Sequence, residues 1–222
     1  MRVDHIPAVS AIERLSFPQA WPQNAYRREI LENPTAHYIV VKDLALQFEA
    51  RTALQPLAIS SDHDGLFDRI ARFLRPNQPP LPVASDTELR SIVGYAGLWL
   101  MTDEGHVTTI ASHPEQRGKG IGELLLLGLI DRALAVGARW MTLEVRVSNT
   151  VARRLYEKYT FREMGVRRRY YSDNNEDALV MWTDALDSPS FLAALDRHEQ
   201  RLAERLDVEI RLGDRVRNLR NG

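Results

Sequence analysis

Two spacings of apolar residues alternate along the chain, one near 3.6 and one near 2, and together they predict a mixed α/β fold. Residues 7–16 and 23–32 read as two short helices, separated by Phe17-Pro18-Gln19-Ala20-Trp21-Pro22. The second carries its stripe at Ala25, Tyr26, Ile30 and Leu31, and Asn33-Pro34 stops it. Residues 37–41 form a strand pattern. Leu66, Phe67, Ile70, Phe73 and Leu74 predict an amphipathic helix over 64–75, which the proline-rich stretch 76–82 ends as a stiff linker. Strands follow at 92–101 and 106–111, joined at the hairpin signal Thr102-Asp103-Glu104-Gly105. Residues 120–136 return to the helical period, with Gly137 placed to cap the C-terminus. A strand at 140–147, a helix at 149–158 and strands at 161–171 and 178–183 complete the pattern, the last two flanking Ser172-Asp173-Asn174-Asn175. Ser188-Pro189 then opens a final helix whose apolar side is Phe191, Leu192, Leu195, Leu202 and Leu206, while 211–222 is expected to fray.

Composition narrows the class. The 222 residues are 44% hydrophobic and 27% charged, which suits a globular chain with one sizeable core. A net charge of −1 gives no basic field, so direct nucleic-acid binding is not expected. The absence of cysteine excludes disulfides, thiolate nucleophiles and zinc sites built on Cys, and it fits a cytoplasmic location. The N-terminus carries no apolar signal core. Apolar runs such as Leu124 to Leu127 fall far short of the ~20 residues of a membrane span, so no membrane partner is expected. The six histidines show no metal-ligand spacing and read as surface or core residues; only His113 adjoins a candidate site. No metal is expected.

That candidate site is the loop Arg117-Gly118-Lys119-Gly120-Ile121-Gly122, between a strand and a helix. Glycines let the backbone turn tightly and approach a ligand, and successive N–H groups at a helix start form a nest for anions. Arg117 and Lys119 add positive charge. A Walker A loop fails because Gly120 follows Lys119, and a dinucleotide fingerprint fails because the third glycine comes one residue early. The pattern R-x-x-G-x-G of Arg117, Gly120 and Gly122 fits. A plain glycine-rich turn is the alternative that the loop alone leaves open.

The segment Ile110-Ala111-Ser112-His113-Pro114-Glu115-Gln116-Arg117-Gly118-Lys119-Gly120-Ile121-Gly122 resembles the cofactor motif of the GNAT superfamily of acyltransferases. Leu143-Glu144-Val145-Arg146-Val147-Ser148-Asn149 and Leu155-Tyr156-Glu157-Lys158-Tyr159-Thr160-Phe161 resemble its next two signatures. Arg168-Arg169-Tyr170-Tyr171, followed by Glu176-Asp177-Ala178, is similar to the C-terminal hairpin of the RimI type, the ribosomal-protein-alanine N-acetyltransferases. The resemblance covers 1–42 and 91–183. It implies a central, mostly antiparallel sheet flanked by helices, with one strand pair splayed apart to hold acetyl-CoA. One acetyltransferase domain would span 1–183, with an insertion at about 43–90 and a helical extension at 184–222. By resemblance, Ile110, Ala111, Ser112, the loop 117–122, Asn149 and Tyr156 contact the cofactor. Thr160 stands where glycine is usual before Phe161, and strain follows if that position needs a positive φ.

Alternation sets Thr142, Glu144 and Arg146 on one face of their strand and Leu143, Val145 and Val147 on the other. The polar face points either to a cleft or to solvent; by resemblance Glu144 is the general base. Tyr156, by resemblance, protonates the departing thiolate, and Asn149 can also cap the helix it begins. No G-x-S-x-G signature occurs, so direct attack by an amine without an acyl-enzyme is expected. An α-amine, with a pKa near ~7.8, is roughly a quarter neutral at about pH 7.4, whereas lysine is almost fully charged. One carboxylate base therefore suits a peptide N-terminus, and the resemblance points to the N-terminal alanine of a small-subunit ribosomal protein, with Tyr170 and Tyr171 flanking it. Lysine or a small amine is the rival acceptor, and a non-catalytic CoA-binding module the rival class.

Overall fold

A computed structural model describes residues 1–46 and 86–206. The helix expected at 64–75, the linker at 76–82 and the tail at 211–222 lie outside the described residues. The elements run α1 (Ile6–Ser16), α2 (Gln23–Glu32), β1 (Ala36–Lys42), α3 (Asp86–Arg90), β2 (Ile92–Met101), β3 (Glu104–Ser112), α4 (Ile121–Ala135), β4 (Trp140–Arg146), α5 (Thr150–Lys158), β5 (Arg162–Tyr171), β6 (Glu176–Trp182) and α6 (Pro189–Leu206). The six strands lie in the order β1-β2-β3-β4-β6-β5, with every neighbouring pair antiparallel except β3 and β4. The mixed α/β architecture read from the sequence is the one observed.

At β1 and β2 both faces of the sheet are covered, and the alternation along β1 explains how. Tyr38 and Val40 face α1 and α2 in a cluster with Ile6, Val9, Ile12, Tyr26 and Tyr95. Ile39 and Val41 face the larger cluster built on Leu125, Leu126, Leu127, Leu129 and Ile130 of α4. Phe191, Leu195 and Leu202 are buried in that same cluster, so the apolar side of α6 packs on its own chain. In α2 the stripe is narrower than its spacing implies: Tyr26 is buried, but Leu31 is 58% exposed because it turns past the edge of the sheet-facing side. The β2–β3 hairpin is also tighter than expected. Its turn is Thr102-Asp103 alone, with Thr102 at φ 59°, and β3 already starts at Glu104.

The parallel ladder between β3 and β4 is short. It contains Glu104↔Trp140, Gly105↔Met141 and His106↔Thr142 and goes no further. Beyond His106 the two strands part, although β3 continues to Ser112 and β4 to Arg146. A bulge in β3 coincides with the parting, since Val107 and Thr109 pair with Leu98 and Gly97 and leave Thr108 extra.

Thr160, between α5 and β5, has φ 65°, the conformation in which a β-branched residue is strained. Its Oγ1 is buried without a hydrogen-bond partner among the described residues. Replacing it by glycine relieves the strain and adds chain entropy to the unfolded state. Thr160→Gly should therefore raise unfolding stability by about 0.5–1 kcal/mol in urea titrations; a loss of stability would refute the strain.

Candidate active site

The parting of β3 and β4 opens a cleft of about 550 Å³. Ile110, Glu144, Asn149, Tyr156, Tyr170 and Tyr171 all line it, together with His106 and Arg146. Arg117 to Gly122, Ala111 and Ser112 are not among its lining residues; they lie where β3 ends and α4 begins. The side chain of Ala111 is buried in the core under α1. From Val107 onward, the edge of β3 that faces β4 has no strand partner, so its backbone polar groups are open to a ligand in the gap.

Glu144 sits on the polar face of β4 with its side chain only 6% exposed. His106 Nε2 lies 3.3 Å from its Oε2, and Arg167 Nη2 lies 3.0 Å from its Oε1. His106 Nδ1 is 2.9 Å from the Thr142 hydroxyl, which donates to Glu104 Oε1. The hydroxyl proton being committed to Glu104, the Thr142 oxygen accepts from Nδ1–H. The other ring nitrogen, Nε2, then faces the Glu144 carboxylate. Sequence reading left His106 aside because a lone strand histidine carries no signal of its own. The clue was its place one strand away from Thr142 and Glu144, across a helical crossover that makes the strands parallel.

Tyr156 projects from α5 and packs against Phe161, with ring centroids 5.7 Å apart. Burial, with Tyr171 beside it, pushes its phenol well above the ordinary value, so the hydroxyl keeps its proton at neutral pH. Asn149 is the N-cap of α5: its Oδ1 accepts the Ala152 N–H at 3.2 Å.

At the phosphate-type loop, Gly118 and Gly120 have φ of 77° and 82°, which favour glycine. Open space surrounds Gly118 where a Cβ would stand, and Gly120 is the N-cap of α4. A left-handed bend that leads bare main chain into a fifteen-residue helix fits a diphosphate, with Arg117 as an adjacent cation. Lys119 Nζ bonds Gln116 Oε1 at 2.9 Å. His113 serves locally: its Nδ1 accepts the Glu115 N–H and caps the short turn Pro114–Gln116.

The other end of the cleft has two walls. Glu13 of α1 is buried and accepts from the Tyr26 and Tyr95 hydroxyls and, at 3.1 Å, from the Trp21 N–H. These bonds hold the loop between α1 and α2 in place. Opposite, the β5–β6 hairpin carries a wide irregularity: Arg167 pairs with Ala178 and Tyr171 with Glu176, so three residues face one. Arg169 takes φ 51° there, and its N–H bonds Asp177 Oδ1 at 2.7 Å. The detour delivers Tyr170 and Tyr171 to the cleft as an edge-to-face pair, centroids 5.2 Å apart. Arg146 lies 3.8 Å over the Tyr171 ring and is paired with Asp173 and Glu176. The two walls touch where the Ser172 hydroxyl bonds Gln19 Oε1 at 3.4 Å.

Residues 48–161 match the model of the acetyltransferase (GNAT) family, just over half of the chain. A Bacillus subtilis protein assigned by name to the ribosomal protein bS18-alanine N-acetyltransferases is 33% identical over 182 residues, which cover 82% of this chain and 91% of that protein. The chain belongs to the GNAT acetyltransferase family. The Escherichia coli ribosomal protein bS18-alanine N-acetyltransferase is 37% identical over 97 residues, 43% of this chain and 66% of that one. The crystal structure of the Escherichia coli enzyme superimposes with a TM-score of 0.57 at 22% identity, over 82% of this chain and 89% of that one, a likeness of fold. This GNAT protein is accordingly an acyltransferase, and its splayed sheet is the fold of the family. Among the described residues no helix is long and apolar enough to cross a membrane.

The hairpin anchor in this GNAT chain is sensitive to acid. The Ser148 hydroxyl first, then the Ser148 N–H, bonded at 2.8 Å, and Arg146 hold the Glu176 carboxyl at about 2, against an ordinary 4.5. A lowered pKa contributes stability that is complete above the ordinary value and fades as pH falls toward the folded one. In urea unfolding, wild type should exceed Glu176→Gln near neutral pH, and the gap should close between pH 4.5 and about 2. A gap independent of pH would refute this anchor.

Proposed function

We propose that this protein transfers the acetyl group of acetyl-CoA to the α-amine of a protein N-terminus, first among them the N-terminal alanine of a small-subunit ribosomal protein. The observation that carries the reading is the meeting, in one cleft, of a buried carboxylate on β4, Glu144, and a half-buried phenol on α5, Tyr156. The Bacillus subtilis and Escherichia coli relatives, by the acceptor in their names, support the choice of substrate.

The main chain of Gly118 to Gly122 and the start of α4 hold the diphosphate, with Arg117 and Lys119 alongside. Ile110, Ala111 and Ser112 offer the backbone of the open β3 edge, and Asn149 and Tyr156 close the opposite side of the gap. When bound, acetyl-CoA supplies an activated thioester: the amine nitrogen forms the new N–C bond as the C–S bond breaks. Glu144 takes the proton that the amine must lose, directly or through a water, and His106 shares it. Thr142 and Glu104 extend that hydrogen-bonded path to the mouth of the strands. Tyr156 gives its phenolic proton to the sulfur and recovers one from solvent. Tyr170 and Tyr171 flank the incoming backbone, and the loop held by Glu13 closes the other side. Walls that meet at Ser172 and Gln19 leave a narrow approach, which suits the end of a chain.

Two measurements test this. Glu144→Gln should lower kcat by about 10²-fold, and the loss should shrink as rising pH deprotonates the amine without help. An unaltered pH–rate profile would remove Glu144 from the chemistry. Incubation with acetyl-CoA and a library of N-terminal peptides, read by mass spectrometry, should put acetyl on α-nitrogen, with alanine-initiated peptides preferred. Label found only on lysine ε-nitrogen would replace the acceptor, and CoA binding without turnover of any amine would replace the class.

A further inference from the structure

Glu123 stands in the first turn of α4, immediately behind the glycine loop, and is 7% exposed. A carboxylate there draws on the same positive helix end that a diphosphate would use, and it repels that diphosphate. It is met by three groups from two other elements. Lys158, at the end of α5, bonds Oε1. The Tyr159 hydroxyl donates to the same oxygen at 2.8 Å. Arg205 Nη2, in the last turn of α6, donates to Oε2 at 2.6 Å. Burial pushes the Glu123 carboxyl up, but these partners prevail and hold it below its ordinary value, so the negative charge persists and is matched.

The same turn of α6 also packs under the loop. A Cβ on Gly120 would stand 3.0 Å from Arg205 Nη2, 3.1 Å from Leu206 Cδ2 and 3.3 Å from Leu202 Cδ1. Gly120 needs its bare Cα for its φ of 82°, and the tips of three α6 side chains crowd the place where a Cβ would stand. Helix α6 lies beyond the residues 48–161 that match the family model.

We propose that Arg205 is a positioning residue for the CoA diphosphate, acting from α6 by neutralising Glu123 and bracing Gly120. The inference rests on the assignment of the loop to CoA. It makes the C-terminal helix part of the cofactor site, and it predicts that Glu123 is harmful to binding once Arg205 is gone. A merely structural arginine would not have that second property.

The test is calorimetric titration of the full chain with CoA, beside steady-state kinetics in both substrates. Arg205→Gln keeps most of the side-chain stem and should weaken CoA about five- to tenfold while leaving the KM for peptide unchanged. Arg205→Lys should stay within about threefold of wild type. Adding Glu123→Gln to Arg205→Gln should recover most of the lost affinity, and melting curves of each variant report whether the fold is intact. Equal CoA affinity in wild type and Arg205→Gln overturns the proposal. So does a double variant that binds no better than Arg205→Gln alone, because the arginine then acts by packing. Should Arg205→Gln fail to fold, Arg205→Lys against wild type and Glu123→Gln decides: binding by Arg205→Lys weakened as much as peptide turnover overturns it. Wild type that does not bind CoA overturns the assignment of the loop itself, a failure distinct from all of these.

Discussion

The parting of β3 from β4 after three residue pairs is the constraint on which the site depends. Hydrogen bonding keeps neighbouring strands together unless something interrupts it, and here the bulge at Thr108 does so. A sheet that stayed paired would seal the open edge of β3 and bury Glu144 against its neighbour. The two halves still share one core, in which α4 and α6 pack under β2, β3, β4 and β6, while α1 and α2 cover the other face at β1 and β2. The division costs backbone hydrogen bonds, and a ligand that runs along the open edge can restore them.

Two regions of different chemistry serve the site. One, outside the lining of the cleft, is the left-handed glycine bend and the helix start, beside Arg117 and Lys119. The other is crowded with Trp21, Tyr26, Tyr38, Tyr170 and Tyr171 and carries the acidic residues Glu13 and Glu144. On the proposed reading an anionic ligand lies at the first and a cationic amine enters the second, each facing complementary charge. The cleft also holds His106, beside Glu144, and Tyr156, whose phenol keeps its proton.

Much of the fold was legible in the sequence because the periods were clean. Helices α1, α2, α4, α5 and α6 and strands β1 to β6 all begin or end within a few residues of where spacing and punctuation put them. Local chemistry misled in two places. Leu31 has helical spacing but turns past the core, and Gly105 reads as a turn residue although Thr102-Asp103 makes the turn unaided. The left-handed bend of the glycine loop and the helix start after it were legible because their signal lies in consecutive residues. The partners of Glu144 and Glu123 were not. His106 is 38 residues from Glu144, and Arg205 is 82 residues from Glu123, so only the strand ladder and the return of α6 bring them together. Charge pairs of that separation leave no periodic trace.

The detour in β5, three residues against one on β6, has a consequence for how this chain could change its diet. Both Tyr170 and Tyr171 reach the cleft because the detour interrupts the strand's alternation, so removing residue 168 or 169 would shift them by one position and turn one of them away. The rest of the hairpin could keep its ladder. On the proposed reading, acceptor preference is in that sense stored as a length, and one codon gained or lost there would redraw the entrance more sharply than most substitutions within it.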